Sequence, residues 1–322
     1  MKRLWLGLSA LAALLLLAGC APQTANPLAR NQATAVPGLD TQPFAATAAD
    51  ANAETVTAQL YFRYLDEPML AAETRTLTVL KDESVEAAIV QALIDGPSAG
   101  HSDLRGLIPA DTRLESVASR DTLLFLTFNE GFLKDDVPEA WASSTQWRTD
   151  APVLRALIVQ SIVASVTETI PYAGVQILVH KQGELQTNLR LDNRYFLDGR
   201  TGPSDSVRRD EAWLLTPQRT GEVLLQAWQQ QNVERCANYL LEQDKPSQAA
   251  LAETLADAPV LTEFAVSGGS VSGDGQTATL SVTLRTQREG HTTLSAAYPL
   301  QLTRENGVWK LAYARLAALF AL

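Results

Sequence analysis

The sequence predicts an α+β protein: a small βαββαβ-type unit over residues 58–198, then a cone-like α+β unit over residues 211–322 in which helices precede an antiparallel meander. Three observations support this. Ala92-Leu93-Ile94-Asp95-Gly96-Pro97 and the stretch from Val159 to Val179 each read as a helix that delivers the chain into a strand. Downstream, helical spacing between Thr216 and Leu255 gives way to strict apolar/polar alternation at Ala278 to Leu284. Between the two units, Gly199-Arg200-Thr201-Gly202-Pro203-Ser204-Asp205-Ser206 has linker chemistry.

The chain is long enough, at 322 residues, for two hydrophobic cores. With 46% hydrophobic and 19% charged residues it has the composition of globular domains rather than of a disordered chain. The formal net charge of −10 and the lack of a basic stripe argue against a nucleic-acid partner.

The first twenty residues carry an address. Met1-Lys2-Arg3 is a short positive start, and Leu4 to Leu17 is almost unbroken apolar sequence, somewhat short for a permanent span of about 20 residues. Leu17-Ala18-Gly19-Cys20 resembles the lipobox of bacterial lipoprotein signals at every position. That resemblance implies diacylglycerol on the Cys20 sulfur, cleavage of the signal peptide, residues 1–19, and an anchor on the extracytoplasmic face of the cell membrane. Cleavage would leave 24 basic against 36 acidic side chains, a formal −12. Such a surface is repelled by anionic head groups, so the acyl chains would hold the protein to the membrane. Cys236 is the one other cysteine, which leaves a lipidated chain without an internal disulfide. On a helix beside Val233 and Tyr239, it reads as a small buried apolar residue. Residues 20–57, rich in Ala, Thr, Gln, Asn and Pro and without periodicity, read as a disordered tether.

Within the first unit, Leu60 to Leu65 is an aromatic strand and Thr74 to Leu80 an alternating one. Asp82 or Ser84 caps a helix with apolar residues at Val85, Ala88, Ile89, Ala92 and Leu93, and Gly96-Pro97 ends it. Thr112 to Ser119 and Thr122 to Asn129 form a hairpin around Arg120-Asp121. The second of these strands is apolar on both faces, which predicts a central position. A polar insert from Pro138 to Asp150 carries Trp141 and Trp147. Asp150 then caps a helix that Pro152 opens and that runs to about Ile170, before the strand Gly174 to Val179.

This unit resembles the GerMN domain of bacterial sporulation and spore-germination lipoproteins over about Ala58 to Lys181. The resemblance rests on Tyr61-Phe62, Leu93-x-Asp95-Gly96-Pro97, Leu107-Ile108-Pro109 and Gly174-Val175-x-Ile177-Leu178-Val179. His180-Lys181-Gln182-Gly183 departs from the acidic-glycine ending common in the family, and the tryptophan insert is longer. The resemblance implies a fold similar to the ring-building modules of envelope assemblies, with no cofactor and no catalytic residue.

In the second unit, Thr216-Pro217 starts a helix through Val223, Leu224, Ala227 and Trp228, and Asn232 caps another. A third helix covers Gln248 to Leu255. Four strands follow: Val260 to Ser267, Ala278 to Leu284, Leu294 to Leu302 and Val308 to Tyr313. Pro299 suggests an edge or a bulge in the third. Helices followed by a meander ending in Gly307-x-Trp309-Lys310-Leu311 resemble the nuclear-transport-factor-2-like fold, which by itself fixes no function.

Chemistry-bearing constellations are sparse. His101, His180 and His291 have no partners at metal-ligand spacing, and no nucleophile elbow, Walker loop or dinucleotide fingerprint is present. The expected sites are Cys20 for lipidation and Trp141 with Trp147 as an aromatic contact for a partner; no catalytic, cofactor-binding or metal site is expected. The function that fits is a non-enzymatic, lipid-anchored envelope protein acting by protein–protein contact, with the sporulation or germination role implied by the resemblance alone. Its partners would be the membrane and envelope proteins, with weak self-association. The alternative is a small-ligand-binding lipoprotein with a pocket in the C-terminal cone.

Overall fold

The computed structural model describes residues 53–134, 146–181 and 188–322. The chain enters through a long hairpin, β1 (Glu54–Tyr64) and β2 (Leu70–Val79), paired without a break from Glu54↔Val79 to Arg63↔Leu70. β1 thus begins inside the stretch read as tether. Thr55, Val56 and Thr57 are β-branched and suit a pleated strand, and Val56 sits opposite Leu77. In the turn, Leu65 takes φ 46°, and the Arg63 guanidinium donates to the carbonyls of Asp66 and Glu67.

Ser84, rather than Asp82, caps α1 (Val85–Asp95), accepting from the Ala87 N–H at 3.2 Å. Gly96 ends it at φ 87°, where a side chain would be strained. β3 (Leu104–Arg105) completes the sheet β2-β1-β3. A second sheet, in the order β4-β5-β6-β7, comprises β4 (Leu114–Arg120), β5 (Leu123–Asn129), β6 (Gly174–His180) and β7 (Asn188–Arg190). β5 is central, with Leu124, Leu126 and Phe128 fully buried. It runs parallel to β6 because α2 (Gln146–Thr169) crosses between them.

α2 starts at Gln146, upstream of the expected Asp150 cap, so that Pro152 lies inside the helix instead of opening it. Pro152 has no N–H to give to the preceding turn, a loss the helix carries within its long apolar run. The window Thr149–Thr169 is long and apolar enough to cross a membrane, but 67% of it is buried within the fold. α2 also supplies partners on the part of β1's second edge that β3, paired only with Arg63 and Tyr64, does not reach. The Ser161 hydroxyl donates to the Tyr61 carbonyl at 2.6 Å, and Ser165 Oγ accepts from the Tyr61 N–H at 2.9 Å. Two serines on successive helical turns thereby take the place of a neighbouring strand.

The second half opens with α3 (Pro217–Gln229), α4 (Val233–Asn238) and α5 (Gln248–Ala256), capped by Thr216, Asn232 and Ser247. The meander follows as β8 (Val260–Val271), β9 (Thr277–Arg288), β10 (His291–Glu305) and β11 (Val308–Leu311), in the order β11-β10-β9-β8. The register slips between Ser295 and Tyr298, with Ala297 at φ 53°. Pro299 follows that bulge on a stretch of β10 that β11 does not reach, since β11 pairs only with Leu302 to Glu305. A last helix, α6 (Tyr313–Phe320), brings the Phe320 ring to 4.8 Å from Trp228. Cys236 is buried on α4, and burial pushes its thiol up to about 12.

The segment read as a linker is docked. Val207 exchanges two 2.8 Å backbone hydrogen bonds with Val175, and Ser204 N–H donates to the Leu191 carbonyl. Asn52–Leu322 form one compact unit, and a single apolar cluster takes in residues of both halves. Across the seam, Leu215 N–H donates to the Leu70 carbonyl at 2.8 Å, and the Tyr64 hydroxyl to the Asn238 carbonyl at 2.5 Å. Gly307, in the β10–β11 turn, packs so closely on the Ala72 carbonyl that an added Cβ would lie 1.7 Å from the oxygen.

Candidate functional site

Of the residues the sequence singles out, Cys20 and Trp141 lie outside the described residues. Trp147 is in the first turn of α2, at a position whose side chain is not described. The histidines stay apart. His180 ends β6 with Nδ1 2.5 Å from the Glu115 carboxylate, His101 sits in a turn with Nδ1 buried, and His291 starts β10. Among the described residues no three His, Cys, Asp or Glu side chains gather into a metal-holding group.

In the C-terminal half, large side chains pack between the first helix and the sheet. Leu224, Trp228, Leu280, Val282 and Phe320 occupy the space between α3 and the sheet. A Cβ added to Gly221 would lie 2.9 Å from Leu280 Cδ1. Trp228 is held in this interior by a hydrogen bond from Nε1 to the Pro259 carbonyl at 3.1 Å.

A cavity of ≈ 670 Å³ lies in the first half, between α2, β6, β7 and the 3₁₀ turn Asn193–Phe196. Among the described residues its lining combines apolar groups with Arg155, Lys181, Arg190, Arg194 and the carboxylate of Asp192. Asp192 is committed locally: its side chain accepts from the Arg194 N–H at 2.8 Å and caps the turn. Arg155 is 7% exposed; its guanidinium lies 4.3 Å from the Tyr195 ring centroid and donates to the Tyr195 carbonyl at 3.1 Å. Burial lowers the Arg155 pKa, with partial compensation from Tyr195. Burial also raises the Tyr195 pKa, with Arg155 opposing, so the hydroxyl stays a neutral donor. That hydroxyl is buried and has no hydrogen-bond partner. Phe132 stacks on the Tyr195 ring at 5.4 Å and fixes its plane.

Sequence reasoning passed over this site. Arg155 reads as one charge on an apolar helix, and Lys181 as a strand end. The cluster Arg190-Leu191-Asp192-Asn193-Arg194-Tyr195 was the available signal, with two cations and an aromatic hydroxyl within six residues.

A second candidate surface is a strand edge. The start of β2 is covered by Leu214, Leu215 and Gly307. The outer edge of β6 is met by β7 and Val207. Among the described residues β4 pairs only with β5, and it is exposed at Glu115, Ser116, Ala118, Ser119 and Arg120. It therefore presents unpaired backbone N–H and C=O groups to solvent.

Among solved structures, the chain is similar to the tandem GerMN domains of the sporulation protein GerM from Bacillus subtilis, at 17% identity and a TM-score of 0.31. That match covers 48% of this chain and 45% of the other, so it spans under half the length of the tandem protein. The first GerMN domain of the same protein matches at 19% identity and a TM-score of 0.31, covering 48% of this chain and 98% of that one. No curated protein matches the sequence. Residues 59–182, which hold both sheets' central strands and the two helices packed on them, match the family described as Germane: Sporulation and spore germination.

Proposed function

We propose that this is a lipid-anchored, non-enzymatic envelope protein that works by protein–protein contact in sporulation or spore germination. The observation that carries the reading is the Germane match over residues 59–182. Leu17-Ala18-Gly19-Cys20 supplies the anchor, with the lipid on Cys20 and the folded part on the extracytoplasmic side.

The contact surface in this reading is the outer edge of β4, where a partner can add a strand by main-chain hydrogen bonds. Confinement to the membrane plane raises local concentration and lets weak contacts suffice. The net negative charge opposes self-association in solution. The C-terminal half, read as a nuclear-transport-factor-2-like domain, adds a second contact, and Trp141 with Trp147 a third. Neither a cofactor nor nucleic acid enters this reading.

The test is genetic. A strain lacking the protein should yield fewer heat-resistant spores or germinate slowly, and Cys20→Ala should reproduce that defect while losing incorporation of labelled fatty acid. Normal spore yield and germination in the deletion strain would contradict the reading.

A further inference from the structure

We propose that a cleft of ≈ 410 Å³ at the seam between the two halves binds a small hydroxylated molecule that carries an ammonium group. The inference rests on the cleft itself and is independent of the sporulation reading. Position is the first ground. One wall is the end of β1, at Tyr64 and Leu65, with the Gly100–Asp103 loop. The facing wall is the end of α4, at Asn238, with the β10–β11 turn. Small-molecule sites favour such junctions, at volumes of about 300–1,000 Å³. The Tyr64 hydroxyl donates to the Asn238 carbonyl at 2.5 Å and ties the two walls together, so the cleft is preformed.

Charge is the second ground. Among the described residues three carboxylates line the cleft, Asp103, Glu242 and Glu305, against two lysines. Both lysines are taken: Lys310 Nζ bonds Glu305 at 2.9 Å, and Lys245 Nζ bonds Glu242 at 3.2 Å. Asp103 is half-buried, and its carboxylate has no ion pair. The Tyr64 hydroxyl reports the same field. Burial raises its pKa first, and Asp103, Glu67, Glu305 and Glu242 raise it further. An ammonium group beside Asp103 would balance this wall, and the attraction is stronger in a partly desolvated cleft than in open water. Among the described residues no His, Cys, Asp and Glu side chains gather into a metal-holding group, which favours an organic cation.

Polarity is the third ground. Leu65 is the one aliphatic side chain among the described lining residues. Ser102, Asn238 and Asn306 bring a hydroxyl and two amides whose side chains make no hydrogen bond within the fold. Such groups suit a body rich in hydroxyls, which can both donate and accept. An apolar body would strand them without partners.

The test uses the full chain in non-ionic detergent micelles, with empty micelles as the blank. The titrants are glucamine, sorbitol, gluconate and butylamine, followed by calorimetry. Glucamine should saturate one site per chain and raise the melting temperature. Sorbitol, which lacks the charge, gluconate, which reverses it, and butylamine, which lacks the hydroxyls, should each bind at least roughly tenfold more weakly. Asp103→Asn removes a carboxylate without an ion pair, so it should keep the wild-type melting temperature and lose roughly tenfold or more in affinity for glucamine. Glu253→Gln makes the same change of charge at an exposed position on α5, outside the cleft, and should keep the wild-type affinity. Failure of glucamine to saturate, equal binding of sorbitol or gluconate, unchanged affinity in Asp103→Asn, or an equal loss in Glu253→Gln would each overturn the proposal. Butylamine binding as tightly as glucamine would overturn the assignment of a hydroxylated ligand.

Discussion

Arg235 on α4 grips Glu67 in the β1–β2 turn through two parallel hydrogen bonds, Nε to Oε1 at 2.6 Å and Nη2 to Oε2 at 2.7 Å. The two residues belong to different halves of the chain, and both are largely shielded from water. A bidentate charged pair of this kind fixes orientation as well as contributing energy. Arg235→Met should therefore destabilise the protein by about 1.5–3 kcal/mol in denaturant unfolding. A double-mutant cycle with Glu67→Gln should show coupling between the two sites. Additive effects would mean that the pair does not join the halves.

Gly307 and Gly290 both hold positive φ, 84° and 80°, but only Gly307 packs on another element. Gly290→Ala should cost about 1–2 kcal/mol from backbone strain alone. Gly307→Ala adds the clash with the Ala72 carbonyl and should cost clearly more, above about 2 kcal/mol. Melting temperatures of the two variants compare backbone strain with inter-half packing directly. Equal shifts would show that the seam is loose.

Ser161 and Ser165 satisfy the Tyr61 carbonyl and N–H on the stretch of the β1 edge that β3 does not reach. Ser165→Ala leaves that N–H buried without an acceptor, at a cost of about 1–3 kcal/mol. Amide exchange at Tyr61 should accelerate in Ser165→Ala beyond the change expected from global stability. Unchanged exchange at that amide would refute the strand-replacement role of α2.

Glu73 is buried and accepts from Arg75 Nε at 2.7 Å, Arg75 Nη2 at 2.8 Å and the Ser98 N–H at 3.1 Å. Burial pushes its pKa up, but these hydrogen bonds outweigh burial and hold it below its ordinary 4.5. The unfolded chain therefore takes up the proton first as the pH falls. The stabilisation is fully present above the ordinary value and is lost as the pH drops through the folded-state pKa. Glu73→Gln should be less stable than wild type at pH 7, with the difference shrinking below about pH 4. A difference that stays constant between pH 7 and pH 3 would contradict this.

Much of the fold is legible in the sequence because each signal is local. Ser84 and Gly96-Pro97 bound α1, the doubly apolar Leu123–Phe128 run marks a central strand, and Asn232 and Thr216 cap their helices where expected. What was missed depends on distant partners. Glu54–Thr57 is a strand because Thr76–Val79 lies opposite, and β3 and β7 are too short to show a period. α6 carries a local signal in the helical spacing of Leu316, Leu319 and Phe320, and it starts at Tyr313, the residue to which the strand reading extends. Gly199–Ser206 has the composition of a linker, yet its backbone groups find partners on Asn193 and Leu191. The cavity was hidden for the same reason: Arg155 and Tyr195 are 40 residues apart and meet only in three dimensions.

The most direct test of contact through the β4 edge is crosslinking of the lipidated protein in its own cells, comparing wild type with Ser116→Lys/Ala118→Lys. Both positions are exposed, so the double variant should fold and reach the membrane at normal abundance, while two added lysines disfavour strand pairing at that edge. Loss of the wild-type crosslinked partners at unchanged protein level is the expected result. Retention of every partner by the double variant would contradict a role for the β4 edge.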